Sequence, residues 1–195
     1  MKHLDARNFE VIRESVNNIL IALGADTSDP GLKETPERVA RMFEEVFEGM
    51  RYTNDDIAVM FDKCFEDPSN GDLVLVKDIE AFSWCEHHMA LMYNMKIHVA
   101  YIPNGRVIGL SKIARITEMV CKRLQLQERI GHDIADVLFK ILDTPDIMVV
   151  VEGEHSCMTA RGVRARGSST RTASVHGLFR DNTALRAEVY DLIKE

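Results

Sequence analysis

Cys85-Glu86-His87-His88, taken with His155-Ser156-Cys157 about seventy residues further on, puts thiols and imidazoles at a spacing that suits a metal ion. The Cys-x-x-His step lets one tight turn bring Cys85 and His88 to the same ion, and Cys157 offers a third ligand from a distant segment. Two thiolates and one imidazole leave a tetrahedral Zn²⁺ one position short. Catalytic zinc sites keep water or substrate in that open position, whereas structural sites close it with a fourth protein ligand. His87 and His155 stand beside these ligands without being needed as ligands, so the pattern reads as a hydrolytic zinc centre flanked by two spare imidazoles. A purely structural zinc is the competing reading, and it requires Glu86 or His87 to turn inward as the fourth ligand. Cys64 and Cys121 read as small core side chains, and His3, His98, His132 and His176 as surface or sheet histidines.

The elements around these residues must hold distant segments together. Phe9, Ile12, Val16, Ile19 and Leu23 recur at helical spacing over Asn8 to Leu23, and Gly24 with Thr27-Ser28-Asp29-Pro30-Gly31 ends that helix. Thr35 reads as the N-cap and Pro36 as the first residue of a second helix that runs through Val39, Met42, Phe43 and Val46 to about Gly49. A short third helix is expected over about Asp55 to Phe65. After Asn70-Gly71-Asp72 the pattern becomes strand-like: Leu73 to Ile79 leads into the metal turn, and Met95 to Ile102 follows it. Pro103-Asn104-Gly105 marks a turn before a third short run, Arg106 to Leu110. Ser111 reads as the cap of a helix carrying Ile113, Ile116, Val120 and Leu124, and the next helix carries Ile130, Ile134, Val137, Leu138 and Ile141. Ile147 to Val151 is a β-branched strand that delivers His155 and Cys157; a last strand over Ser168 to Leu178 precedes a helix from about Thr183. The order predicts an α+β fold with an antiparallel sheet: an N-terminal helical region, 1–70, and a catalytic domain, 71–195.

The composition narrows the function class. Apolar residues make up 46% and charged residues 28% of the 195, as in ordinary globular proteins. The N-terminal residues lack the apolar core of a signal peptide, and no apolar stretch is long enough to span a membrane, so a cytoplasmic protein without a membrane partner is expected. A reducing compartment favours metal over disulfides for the four cysteines. The net charge of −7 argues against nucleic-acid binding but leaves room for a small anionic ligand, which responds to local fields.

Several blocks, in order, resemble GTP cyclohydrolase I: Glu34-Thr35-Pro36-Glu37-Arg38-Val39-Ala40, Cys85-Glu86-His87-His88, His98-Val99-Ala100-Tyr101-Ile102-Pro103 and Val107-Ile108-Gly109-Leu110-Ser111-Lys112. They continue with Gln125-Leu126-Gln127-Glu128-Arg129, His155-Ser156-Cys157-Met158, Ala160-Arg161-Gly162-Val163 and Gly177-Leu178-Phe179. The chain departs from the family's usual Pro-Phe-x-Gly-like stretch at Met89-Ala90-Leu91-Met92-Tyr93-Asn94. The resemblance implies conversion of GTP and water to 7,8-dihydroneopterin triphosphate and formate, with one Zn²⁺ per chain. It also implies the tunnelling fold, two hairpins with two helices between them, and a homodecamer of two pentamers with active sites between subunits. With no long N-terminal extension, constitutive activity is expected.

On that resemblance Cys85, His88 and Cys157 are the zinc ligands. His87 and His155 are the proton donors to the guanine imidazole nitrogens, with the pairing of donor and nitrogen left open. By their composition Gln127 and Glu128 are a solvated helix face; the resemblance instead makes Glu128 the acceptor for the guanine N–H groups and Gln127 a hydrogen bond near the imidazole ring. It likewise turns Arg38, Arg41, Ser111, Lys112, Arg115 and Arg161 from surface residues into contacts for the triphosphate. Ser111 also assists proton transfer in the later rearrangement of the ribose carbons. Arg164, Arg166 and Arg171 stay surface residues. Two other readings compete: a tunnelling-fold nitrile reductase with a nucleophilic cysteine, which needs no second thiol and imidazole on a metal, and a zinc-stabilised assembly protein, which leaves Gln127-Glu128 and the cations unexplained.

Overall fold

A computed structural model describes residues 3–66 and 71–194 and divides into two compact units, Met1–Arg51 and Tyr52–Glu195. The boundary expected at residue 70 falls in 67–70, outside the described residues. In the first unit, helix α1 (Ala6–Ala22) starts at Asp5, whose side chain accepts from the Asn8 N–H at 2.7 Å, two residues before the expected start. Helix α2 (Thr35–Val46) packs against α1 and has Pro36 in its first turn, where a missing N–H costs nothing. A 3₁₀ turn, Glu48–Arg51, follows.

The second unit opens with α3 (Asn54–Phe61), fixed by a reciprocal capping box between Thr53 and Asp56. Ile57, Ala58 and Phe61 of α3 lie in the same core as the sheet, which is why this helix divides with the second unit. The short helix ends earlier than expected, because Cys64–Glu66 form a strand, β1, paired antiparallel with β4 (Arg106–Ile108). Between them run two long strands, β2 (Val74–Cys85) and β3 (Ala90–Tyr101), a hairpin whose turn is the Cys-x-x-His segment. Helix α4 (Leu110–Cys121), the two-residue strand β5 (Leu124–Gln125) and helix α5 (Gln127–Leu142) come next. Strand β6 (Ile147–His155), the one-turn helix α6 (Ser156–Thr159) and strand β7 (Thr170–Val175) form the second hairpin. The short α7 (Leu178–Asp181) and α8 (Thr183–Lys194) close the chain.

The main sheet has the order β5-β2-β3-β6-β7, antiparallel except for the β2–β5 pair, so a short parallel strand makes it mixed. Two hairpins with two helices between them are the arrangement expected of the tunnelling fold, preceded by N-terminal helices. Alternation along β3 explains the two cores. Ile97, Val99 and Tyr101 face α4 and α5 with Ile113, Ile116, Ile130, Ile134 and Leu138, while Ala100 faces Met148, Val150, Phe179 and Val189 on the other side. Each fully buried aliphatic side chain of this size contributes roughly 1.5–3 kcal/mol, so these layers fix the strands that carry the site. Among the described residues no helix is long and apolar enough to cross a membrane.

Candidate metal centre

Cys85 is the last residue of β2, buried and directly opposite Ala90 at the start of β3. The four residues between them reverse the chain. Met89 takes φ +51° and its N–H returns to the Cys85 carbonyl at 2.9 Å. Asn94, also left-handed at φ +50°, sits at the register shift of β3 and donates its side-chain amide to Glu154 at 2.9 Å. The stretch Met89–Asn94 therefore has its own turn and bulge chemistry.

The turn is braced from the side. β5 runs parallel to β2 at Cys85↔Gln125, and the Glu86 N–H donates to the Gln125 carbonyl at 3.1 Å. The Glu86 carboxylate accepts both arms of Arg129, at 2.6 and 3.2 Å, and those hydrogen bonds hold its pKa below the usual carboxylate range. Glu86 is thus committed to Arg129 and does not turn inward as a fourth ligand. Sequence spacing did not reveal this pair, because its members are forty-three positions apart on different elements.

Cys157 arrives from the other hairpin. β6 pairs with β3 at Met92↔His155, so the strand ends beside the metal turn and α6 begins there. Cys157 lies in α6, a single helical turn, and the Tyr93–Thr159 hydroxyl contact at 3.0 Å ties this turn back to β3. One ligand atom from each of Cys85, His88 and Cys157 falls within 4.8 Å of the others, the one such group of three among the described residues. Around a tetrahedral Zn²⁺ such atoms stand about 3.3–3.8 Å apart, so about 1 Å of side-chain movement closes the set. Burial pushes the Cys157 thiol up, and the adjacent Cys85 adds to the shift. The Cys157 thiol resists ionising unless a cation compensates, and two sulfurs beside an imidazole fit a thiophilic divalent metal.

His155 and His87 flank the cluster. His155 at the end of β6 places Nε2 2.7 Å from Oε1 of Gln127, the first residue of α5. Burial lowers the His155 pKa, with the Glu128 carboxylate pulling the other way. His87 is exposed, with Nδ1 3.8 Å from the Cys85 sulfur. Arg161 points a guanidinium nitrogen at His88 Nε2, 3.0 Å away. Guanidinium groups only donate, so this contact uses a ring lone pair; a ring ligating metal through its other nitrogen carries a proton here, so contact and ligation are alternatives.

The remaining predicted residues lie elsewhere. Glu128 is exposed in the first turn of α5, next to Gln127. Ser111, Lys112 and Arg115 occupy the first turns of α4, whose N-cap is Gly109; Ser111 is already helical and caps nothing. The far end of α4 adjoins the metal turn, where Ser83 donates to the Cys121 carbonyl at 2.8 Å. Ten residues of helix put Ser111 about 15 Å along the axis from Cys121. Within one chain, therefore, this cation group and the metal cluster occupy opposite ends of α4. Arg38 and Arg41 on α2 are largely exposed and paired with Glu34 and Glu37, each at 2.6 Å.

Comparison with known proteins gives a family. The family model described as GTP cyclohydrolase I matches residues 12–194. A protein of Clostridium acetobutylicum named GTP cyclohydrolase 1 is 54% identical over 189 residues, 95% of this chain and 97% of that one. One of the same name from Ruminiclostridium cellulolyticum is 55% identical over 188 residues, 94% and 96% of the two chains. A solved structure of an archaeosine synthase QueF-Like in the apo form superposes with a TM-score of 0.45 at 18% identity, covering 54% of this chain and 94% of that one.

Proposed function

The chain belongs to the GTP cyclohydrolase I family, and on that premise we propose that it opens the imidazole ring of GTP at the Cys85–His88–Cys157 cluster, releasing formate and 7,8-dihydroneopterin triphosphate. It is an enzyme, a GTP cyclohydrolase. The observation that carries the siting is the convergence of two thiols and an imidazole from separate hairpins, with two further imidazoles alongside. Cys85, His88 and Cys157 hold one zinc ion per chain in this reading. Zinc there supplies a Lewis acid and brings the pKa of water to about 7, which attack on the poorly electrophilic C8 of guanine demands at neutral pH.

The protein's own residues do the rest. His87 and His155 hold the protons that the ring nitrogens take up as their bonds to C8 break. Glu128 accepts the guanine N–H groups, an arrangement that adenine cannot satisfy. Arg38, Arg41, Lys112, Arg115, Arg161 and Ser111 serve the triphosphate, and Ser111 the later proton transfer. The catalytic domain is the tunnelling-fold part, residues 71–195, after a helical region 1–70.

The active site forms between subunits of a homo-oligomer, a decamer of two pentamers. The 15 Å of α4 between the Ser111 group and the metal turn support this, since another copy's α4 then brings its cations to a neighbour's metal. Zinc-loaded protein given GTP is expected to release formate equal to the GTP consumed while pterin absorbance appears. Intact GTP after incubation with the zinc-loaded oligomer overturns the reading.

A further inference from the structure

Gln127 is 2% exposed, and its polar atoms are accounted for in a way that dictates the state of a neighbour. Its Nε2 donates to the Val151 carbonyl at 3.0 Å and to the Thr170 carbonyl at 2.9 Å. A side-chain amide has two protons, and both are spent on backbone oxygens of β6 and of β7. The amide cannot be flipped, because its oxygen would then face two carbonyls. Oε1 is therefore an acceptor aimed at His155, and at 2.7 Å the His155 Nε2 must carry the proton. In the neutral ring that leaves the lone pair on Nδ1, so in the proposed reaction Nδ1 first takes up the proton released by the attacking water and then passes it to the guanine ring. Room for the arrangement comes from Gly153, where a Cβ would stand 3.0 Å from Met95 Cγ and 3.5 Å from Gln127 Oε1.

We infer that Gln127 is a positioning residue that pins His155 by its Nε2 proton and turns Nδ1 toward GTP, without itself contacting the substrate. The inference builds on the GTP cyclohydrolase reading for what Nδ1 faces, but not for the hydrogen-bond arrangement. Gln127 has no proton left for a guanine nitrogen. Its value to the reaction is to keep one tautomer and one ring orientation, so that the same nitrogen always meets the base. An imidazole free to flip would present either nitrogen and spend part of its time misaligned.

Two variants of the zinc-loaded oligomer test this. Gln127→Met keeps the volume but cannot accept; Gln127→Glu keeps an acceptor toward His155 while setting its other oxygen against two carbonyls. We expect Gln127→Met to lose about 10–100-fold in kcat, the usual cost of removing such a partner, with KM for GTP within about twofold and zinc content unchanged. Gln127→Glu is the less stable protein and yet the more active. A raised KM with kcat intact would make Gln127 a substrate contact. Activity that follows thermal stability across both variants would make it structural only. Solid-state ¹⁵N spectra of histidine-labelled oligomer, with the His155 signal assigned by its loss in His155→Asn, read the tautomer without any turnover. One Nε2–H form in the wild type and a mixture in Gln127→Met is the expected result, and identical spectra overturn the inference. A wild type that shows the pinned tautomer but releases no formate from GTP overturns the proposed function and leaves the positioning role standing.

Discussion

At the scale of single residues the cluster makes unequal demands. Cys157→Ala is expected to abolish stoichiometric zinc and formate release while leaving the cores intact, because Cys157 lies in a partly exposed turn beyond β6; metal analysis beside circular dichroism checks it. Arg161→Gln should bind zinc at least as tightly as the wild type, since the contact removed competes with ligation at His88, and should raise KM for GTP; chelator competition and steady-state kinetics separate the two effects. The Cys-x-x-His spacing made two of the three candidate ligands, Cys85 and His88, legible in the sequence. The hydrogen bonds of Gln127 were not, because Val151 and Thr170 contribute carbonyl oxygens that every residue type possesses. His98 offers a pH prediction away from the metal. It is 2% exposed, its Nδ1 accepts from the Asp78 N–H at 3.2 Å, and its buried Nε2 has no hydrogen-bond partner among the described residues, with Glu152 Oε1 3.8 Å away. Burial holds its pKa below the usual value; Asp78 and Glu152 pull it up, while Lys96 and Arg171 push it down. Below about pH 6.5 the unfolded chain takes up this proton more readily than the folded one. The stability from His98 is therefore complete above that pH and lost as pH falls toward the folded value. Urea midpoints at pH 7.5 and 5.5 should drop more in the wild type than in His98→Gln, and equal drops would contradict this.

At the scale of elements, long periodic segments were readable and short ones were not. α5 and β6 follow their apolar spacing and α4 does so as far as Cys121, short of the expected Leu124, which belongs to β5; β1 and β5, at three and two residues, are too short to carry any period and exist through their partners. Ser111 looked like a cap because serine commonly is one; the helix instead begins at Leu110 behind Gly109, which leaves the Ser111 hydroxyl exposed. Gly177, between β7 and α7, is a position where only glycine serves. It has φ +54° and ψ −135°, and a Cβ would stand 2.1 Å from Asp146 Oδ1 and 2.6 Å from the Pro145 carbonyl. Gly177→Ala should cost about 3 kcal/mol or more, with soluble yield and thermal midpoint as the measures.

At the scale of the whole molecule, the sheet ends in strands whose outer backbone groups invite pairing. Among the described residues β7 has only β6 beside it, and β2 meets β5 at just Trp84 and Cys85. Joining the β7 edge of one copy to the β2 edge of the next would be a head-to-tail contact, the kind that the proposed ring requires. Light scattering should find a large oligomer, and activity should fall on dilution below its assembly concentration; a fully active monomer would contradict both the ring and the shared site. The bare edges were not legible in the sequence, since composition carries no record of which strands lie outermost. The split origin of the metal ligands has a consequence in time. Cys85 and His88 need only the β2–β3 hairpin, but Cys157 joins them only when β6 pairs with β3, across the intervening helices α4 and α5. Closing that long loop belongs to the slow part of folding. In the proposed zinc site full coordination is therefore a late event, since a chain whose sheet is incomplete offers the ion two of the three ligands.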